Sequence, residues 1–200
     1  FAKFADKTLA RSALKRKEFS AKPSALSKEI AAGVLEIETA GRRIILRIKE
    51  HGSFPSGTAD LSANFKPVLK IIRQQLRDMD GRIIVEGHTD DDPINTPRFR
   101  SNWALSSARA VSVAHGLFED PELDQERFTI TGFADTKPLV SNTNAAGKAR
   151  NRRVEVVIHQ GLGADVKNDL EILKDEFPAT YENVRQELIQ RFELSPEEIF

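Results

Sequence analysis

The chain has 200 residues, 40% of them hydrophobic, and its 30 basic residues balance its 30 acidic ones. A chain of this length can bury a self-sufficient core. It has no cysteine, which excludes disulfides and thiol catalysis, and its zero net charge argues against a nucleic-acid binder attracted by phosphates. No apolar run approaches the roughly 18 residues of a membrane span. The chain begins with Phe and shows no signal-peptide pattern, so we expect a fragment or mature segment whose targeting element lies outside it.

The first residues differ in charge from the rest of the chain. Residues 1–22 carry seven Lys or Arg against two acidic residues, and they lack a strong apolar stripe. We therefore predict an N-terminal tether or linker helix over residues 1–23. Pro23 then opens a segment in which Leu26, Ile30 and Val34 recur at helical spacing.

Five strands and two long helices are predicted in the next part of the chain. The strands are 34–39, 43–48, 82–86, 127–133 and 152–159, and the helices are 63–79 and 102–117. Strands that alternate with helices predict an α+β domain at 24–160, with a mixed sheet of the βαβαββ type covered by helices on one face. Residues 161–200 carry ten acidic residues against four basic ones and predict an acidic helical extension, divided at Pro178.

The helix NWALSSARAVSVAHGL at 102–117 follows a strand that ends in the residues GHTD at 87–90. It fits the pattern N-x-x-L-S-x-x-R-A-x-x-V-x-x-x-L. With NRRVE at 151–155, it resembles the OmpA-like peptidoglycan-binding domain. The loop DDPINTPRFRS and the later GFAD at 132–135 resemble more specifically the flagellar stator B subunit of the MotB/PomB family. The resemblance covers roughly residues 30 to 160.

The helix also indicates a charged site without reference to any family. Helical spacing places Arg109 at the border between core and solvent, where its guanidinium can face a carboxylate. Asn102 is a good N-cap, and helix N-termini attract anions. Asp90 leaves the preceding strand close by. These residues predict a small zwitterion trap, with a carboxylate for an ammonium group and an arginine for a carboxylate. Taken alone, such an arginine is more often a solvated surface residue.

The resemblance implies a ligand, the diaminopimelate of the peptidoglycan stem peptide. Asp90 and Arg109 match the motif positions that hold it, and Thr89, Asn102, Leu105 and Arg153 are the further expected binding residues. It implies a non-enzymatic wall anchor, the periplasmic part of a single-pass inner-membrane protein. The expected partners are a second copy of the chain and a stator A subunit, reached through a membrane helix outside these residues. The alternative is a general OmpA-like envelope tether or secretion-system anchor. The coupling ion cannot be predicted from these residues.

Other charged groups carry weaker signals. Arg150, Arg152 and Arg153 form a basic cluster that seats the ligand or, alternatively, pairs with Asp135 or helix carboxylates. Residues 90–92, DDD, lack the ligand spacing of a calcium loop and predict a solvated turn.

Nothing in the sequence indicates a metal, a cofactor or an enzyme. The four histidines have no H-x-x-x-H spacing, so no zinc site is predicted, and His88 is expected to shape the binding loop through hydrogen bonds. The GLG at 161–163 lacks the third glycine of a dinucleotide site and predicts a linker. An enzyme acting on peptidoglycan would need a nucleophile or an acid/base pair, and no such motif is present.

Overall fold

The computed structural model describes residues 23–40, 42–79, 81–160 and 164–192. Its helices are α1 (Pro23–Ala31), α2 (Lys66–Arg77), α3 (Asn102–Phe118), α4 (Ala145–Asn151), α5 (Ala164–Glu176) and α6 (Pro178–Phe192). Its strands are β1 (Leu35–Ala40), β2 (Arg43–Lys49), β3 (Arg82–His88), β4 (Phe128–Gly132) and β5 (Arg153–His159). Short helical turns lie at Glu50–Ser53 and Gln125–Arg127. The predicted tether at 1–22 and the predicted linker at 161–163 lie outside the described residues.

The five strands form one mixed sheet in the order β1-β2-β5-β3-β4. Strands β1 and β2 pair antiparallel, β5 is antiparallel to both β2 and β3, and β3 and β4 are parallel. The predicted α+β class, with a mixed sheet and helices, is confirmed. Strand β5, the last strand of the described residues, is therefore the central strand, so the residues that flank it meet residues from both halves of the domain.

One face of the sheet carries the hydrophobic core. Helices α2 and α3 cover this face with their apolar stripes, whose buried residues include Val68, Leu69, Ile72 and Leu76 of α2 and Ala110, Val113, Ala114 and Leu117 of α3. Strand residues such as Leu46, Val85 and Val156 meet them from the sheet. Burying each large apolar side chain contributes about 1.5–3 kcal/mol. Helix α1 adds the fully buried Leu26, whereas Ile30 is 41% exposed.

Helix α3 lies unusually close to the sheet because glycines face it. A Cβ atom added to Gly87 of β3 would collide with the main-chain carbonyl oxygen of Ser106, and one added to Gly132 of β4 would collide with Ser107. The helix therefore rests on the strands through backbone contacts. These contacts fix the position of α3 relative to the end of β3.

The other face of the sheet, which we call the rear face, carries charge. Side chains alternate along a strand, so Arg153 and Glu155 of β5 point away from the core residues Val154 and Val156. Glu155 lies directly opposite Glu86 of β3 in the strand register. Arg153 Nε donates to Glu155 Oε1 at 2.6 Å, and Arg47 Nε of β2 donates to the same oxygen at 3.2 Å.

The extension contains two helices that pack against each other. Pro178, which was expected to divide the extension, is the first residue of α6, where its missing N–H costs no hydrogen bond. Each helix has a buried apolar stripe: Leu170 and Leu173 in α5, and Tyr181, Val184 and Leu188 in α6. No helix in the described part of the chain combines the length and apolar character needed to cross a membrane.

Candidate functional site

The loop that follows β3 holds Asp90 in a buried position. Thr89 donates from its backbone N–H to the carbonyl of Ala134 and from its hydroxyl to the carbonyl of Asp90, both at 2.8 Å. The amide of Asp92 donates to Asp90 Oδ1 at 3.3 Å. Asp90 is only 5% exposed. Its carboxylate is therefore held by the fold at the end of β3.

Asn102 supports this loop from the start of α3. It is not the N-cap that the sequence predicted: Ser101 occupies that position, with an extended backbone, and its side chain accepts from Ala104 N. Asn102 instead donates to the carbonyls of Asp90 at 3.3 Å and Asp92 at 3.0 Å. Serine caps helices as well as asparagine does. Because Ser101 caps α3, the side-chain amide of Asn102 is available to bind the loop.

Arg109 is buried, which corrects its predicted position at the solvent border. Only 1% of the residue is exposed. Its Nε donates to the carbonyl of Thr58 at 2.8 Å, its Nη2 donates to Glu50 Oε1, and its guanidinium carbon lies 5.2 Å from the ring centre of Phe54. The loop between β2 and α2 therefore covers the arginine.

Glu50 connects Arg109 to the rest of the site. Its second oxygen accepts from Arg152 Nε, and Arg152 Nη1 donates to Asp90 Oδ2 at 2.5 Å. The charges alternate along Arg109, Glu50, Arg152 and Asp90, which we call the front network. The backbone also joins these segments, since Glu50 N donates to the Arg152 carbonyl at 3.0 Å.

The front network differs from the predicted trap in one respect. Asp90 and Arg109 belong to the same site, but Glu50 and Arg152 stand between them and neutralise both. One donor is left over: Arg109 Nη1 is buried and has no hydrogen-bond partner among the described residues. A buried donor without a partner costs about 1–3 kcal/mol. A ligand acceptor that reached this nitrogen would remove that cost.

The remaining predicted residues divide between the two faces. Leu105 lies beside the front network, in a small buried cluster with Ala59 and Phe99. Arg153 lies on the rear face and pairs with Glu155, which separates it from Asp90 and Arg109. Strand alternation explains the difference between Arg152 and Arg153: Arg152 lies just outside β5, and Arg153 is its first residue.

One expectation about the neighbouring loop is wrong and another holds in part. His88 does not shape the loop through hydrogen bonds: neither ring nitrogen has a hydrogen-bond partner among the described residues, and the ring stacks on Phe133 at 5.5 Å. The solvated turn expected at residues 90–92 is found for Asp91 and Asp92, which are exposed and form ion pairs with Lys148 of α4 at 3.2 and 2.5 Å, but not for the buried Asp90.

Sequence reasoning did not identify Glu50, and it expected Asp135 or helix carboxylates as the partners of the basic cluster. The partners are Glu50 and Asp90 for Arg152, and Glu155 for Arg153. The only signal for Glu50 is a carboxylate directly after a strand whose alternate residues are buried. Such a position is common on surfaces, so the signal is weak.

Residues 53–152 match the sequence model of the OmpA family. This segment contains the loop over Arg109, the GHTD strand end, helix α3 and Arg152. The chain belongs to the OmpA family.

The chain is similar to motility and cell-wall anchor proteins. It is 40% identical over 125 residues to Motility protein B of Bacillus subtilis, a match that covers 62% of this chain and 48% of the relative. It is 38% identical, with a TM-score of 0.66, to the cell-wall anchor of the type VI secretion system of Pseudomonas aeruginosa, covering 73% of this chain and 99% of that structure. A MotB-like protein of Desulfovibrio vulgaris is 26% identical, with a TM-score of 0.66, covering 78% of this chain and 98% of that structure.

These similarities confirm the resemblance that the sequence indicated. The similarity covers only part of the curated relatives. The chain spans about half the length of two curated Bacillus subtilis proteins, 48% of each. What those longer proteins do as a whole depends on segments that this chain does not match.

Proposed function

We propose that this chain is a non-catalytic module that binds peptidoglycan and anchors a larger envelope assembly to the cell wall. The observation that carries the proposal is the front network, which places a buried carboxylate and a buried guanidinium with one free donor in a single site. Such a pair suits a ligand that carries both an ammonium and a carboxylate group. Binding of such a ligand does not require these residues to form or break covalent bonds.

The proposed ligand is the stem peptide, whose diaminopimelate has an amino-acid end of this kind. Its ammonium group would approach Asp90, and its carboxylate would approach Arg109 Nη1. Access requires the loop that carries Thr58 to move, because this loop covers Arg109. Thr89 and Asn102 would hold the Asp90 loop in place, and Leu105 would contact the apolar stem of the ligand.

The proposed assembly is the flagellar stator. The 40% identity to Motility protein B of Bacillus subtilis supports this role. In that arrangement the chain is the periplasmic part of an inner-membrane protein, works as a homodimer and joins a stator A subunit through a membrane helix. Two copies would hold two stem peptides, which raises the overall affinity through effective concentration.

A second candidate is an anchor for a secretion system. The observation that favours it is the 38% identity to the type VI secretion cell-wall anchor of Pseudomonas aeruginosa, nearly all of which is covered. Both candidates require the same binding of peptidoglycan by the front network. They differ in the function of the assembly that is anchored.

Co-sedimentation with purified sacculi tests the wall-binding proposal. Arg109→Ala and Asp90→Asn should each reduce pelleting at least tenfold, because each removes one charge of the pair that binds the ligand. Arg73→Ala and Glu119→Gln are the matched controls, since this pair lies at the far end of α3, with Arg73 Nη1 2.9 Å from Glu119 Oε2. Circular dichroism checks that all four variants fold. Wild-type pelleting by the folded Asp90 and Arg109 variants would contradict the assignment.

Competition tests the stem-peptide proposal separately. A free peptide that ends in diaminopimelate should release the chain from sacculi, while the same peptide with lysine in that position should not. Swimming assays of a strain that lacks the parent protein then separate the two assemblies. Normal swimming would exclude the stator and leave the secretion anchor.

A further inference from the structure

A second polar cluster lies on the rear face, outside the front network. Glu86 and His88 of β3 and Glu155 of β5 project from the same side of adjacent strands. Each offers one ligand atom, and these atoms all lie within 4.8 Å of one another. All three residues are on strands, so their positions are set by the ladder hydrogen bonds of the sheet.

His88 is the unusual member of this cluster. It is 1% exposed, and neither ring nitrogen has a hydrogen-bond partner among the described residues. Its Nε2 lies 3.5 Å from Glu86 Oε2, at the limit of a hydrogen bond. Buried polar groups are almost always paired, so an imidazole in this state indicates a missing partner on the side where the carboxylates stand.

The charges around His88 are unevenly compensated. Glu86 and Glu155 are directly opposite in the register, an arrangement that is destabilising for like charges. Glu155 is compensated by Arg47 and Arg153, which both bind its Oε1. Among the described residues, the ion pair of Glu86 is the long contact of 3.5 Å between its Oε2 and His88 Nε2. Glu86 and the ring nitrogen are thus the groups that a cation would satisfy.

We propose that Glu86, His88 and Glu155 bind a divalent transition-metal cation, with Zn²⁺ as the best fit. Zn²⁺ accepts both imidazole nitrogen and carboxylate oxygen as ligands, and with three protein ligands the fourth position would be filled by water. Bonds of about 2.0–2.2 Å place tetrahedral ligands roughly 3.3 Å apart, so the ligand atoms must move closer by at most about 1.5 Å. His88 Nε2 and Glu86 Oε2, at 3.5 Å, are already near that separation.

Arg47 and Arg153 limit the strength of this site. Both hold Oε1 of Glu155, which leaves its other oxygen for the metal and orients the carboxylate, as outer hydrogen bonds to metal ligands usually do. Their positive charge opposes that of the cation. We therefore expect an affinity on the order of micromolar, well below that of closed structural zinc sites. The site is on the opposite face of the sheet from the proposed wall-binding site and does not depend on it.

Calorimetric titration of the complete 200-residue chain with ZnCl₂ tests the proposal. The wild type should bind one equivalent, and His88→Gln and Glu86→Gln should each weaken binding at least tenfold. His159→Gln is the matched control, because His159 lies on the rear face at the other end of β5 and should leave binding unchanged. Zn²⁺ should also raise the melting temperature of the wild type and of the control only. Mg²⁺, which prefers an all-oxygen octahedral site, should have little effect.

NMR shows directly whether His88 is a ligand of the metal. If Zn²⁺ binds as proposed, the ring resonances of His88 shift on titration with the metal at constant pH. Unchanged His88 resonances, or equal Zn²⁺ affinity in the wild type and Glu86→Gln, would overturn the proposal. These two measurements decide the matter even if the His88 variant does not fold.

Discussion

The front network and the rear-face cluster use the same residue types in opposite ways. In the front network, Glu50 and Asp90 each follow a strand end, Arg109 comes from a helix, and Arg152 comes from the connection before β5. In the rear-face cluster, Glu86, His88 and Glu155 all lie within strands, as do the two arginines that bind Glu155, Arg47 and Arg153. The first network is supported by loops, whereas the second is part of the sheet.

This difference separates wall binding from stability. Groups held by loops can exchange a protein partner for a ligand partner when the loop moves, and Arg109 already has one donor to offer. The main chain of a strand ladder cannot shift in this way, so in the metal-free protein the charges on the rear face mainly affect the free energy of unfolding. Substitutions in the two networks should therefore have different consequences.

The largest effect is expected for Glu50→Gln. Within the described residues, Glu50 is the one carboxylate that pairs with Arg109, and Arg152 shares it, so its loss leaves buried positive charge without compensation. We expect a loss of about 3–5 kcal/mol in the free energy of unfolding, together with loss of sacculus binding. Denaturant titration and co-sedimentation measure the two effects.

Glu38→Gln is the control for that experiment. The Glu38 side chain is 50% exposed and also pairs with an arginine, Arg47. Its substitution should change the unfolding free energy by less than about 1 kcal/mol and leave binding intact. Equal stabilities for the two variants would mean that the front network does not depend on Glu50.

A smaller effect, confined to stability, is expected for Arg153→Met. Methionine retains most of the apolar stem but removes the hydrogen bond to Glu155 and the longer ones to the carbonyls of Asn151 and Lys137, while Arg47 still compensates the Glu155 carboxylate. The cost should be about 1.5–3 kcal/mol, since the short bond to charged Glu155 contributes most of it. Binding to sacculi per folded molecule should not change. A binding defect would place Arg153 in the ligand site after all and remove the distinction between the networks.

The smallest effect concerns the pH dependence of stability. Contact with His88 lowers the pKa of Glu86 in the folded state, so Glu86 stabilises the fold above the pKa it has when unfolded. That contribution is lost as the pH falls through the lower folded pKa. In chelator-treated buffer, Glu86→Gln should be slightly less stable than the wild type above about pH 5. The two proteins should converge in stronger acid, and a constant difference down to about pH 3 would contradict this.

Much of the fold follows from patterns that are local in the sequence. Short runs rich in apolar residues predict β2 and β3, and the apolar stripe predicts α2, because one element contains the whole signal. The order of GHTD, the α3 motif and NRRVE predicts that Asp90 and Arg109 share a site. The boundaries shift by one to three residues, as in α2, which begins at Lys66 instead of 63.

The partners of the charged groups could not be predicted in this way. Glu50 and Arg109 are 59 positions apart in the chain, and Arg152 and Glu50 are 102 apart, so no local spacing relates them. The burial of Arg109 depends on the loop that contains Thr58, whose path is set by tertiary packing. Arg152 belongs to the front network and Arg153 to the rear face because β5 begins between them. The exact start of a strand is the least certain feature of a sequence prediction.

The close approach of α3 to the sheet has a consequence for how such domains can diversify. Contacts between side chains can be rebuilt with other residues of similar volume, but the contact between Gly87 and the Ser106 carbonyl leaves no room for any side chain at position 87. This main-chain contact therefore fixes the distance between the segment that carries Asp90 and the helix that carries Arg109, whatever side chains surround them. Changes in what the site accepts must come from the segments that enclose it, such as the loop over Arg109, while the distance between its two ends stays the same.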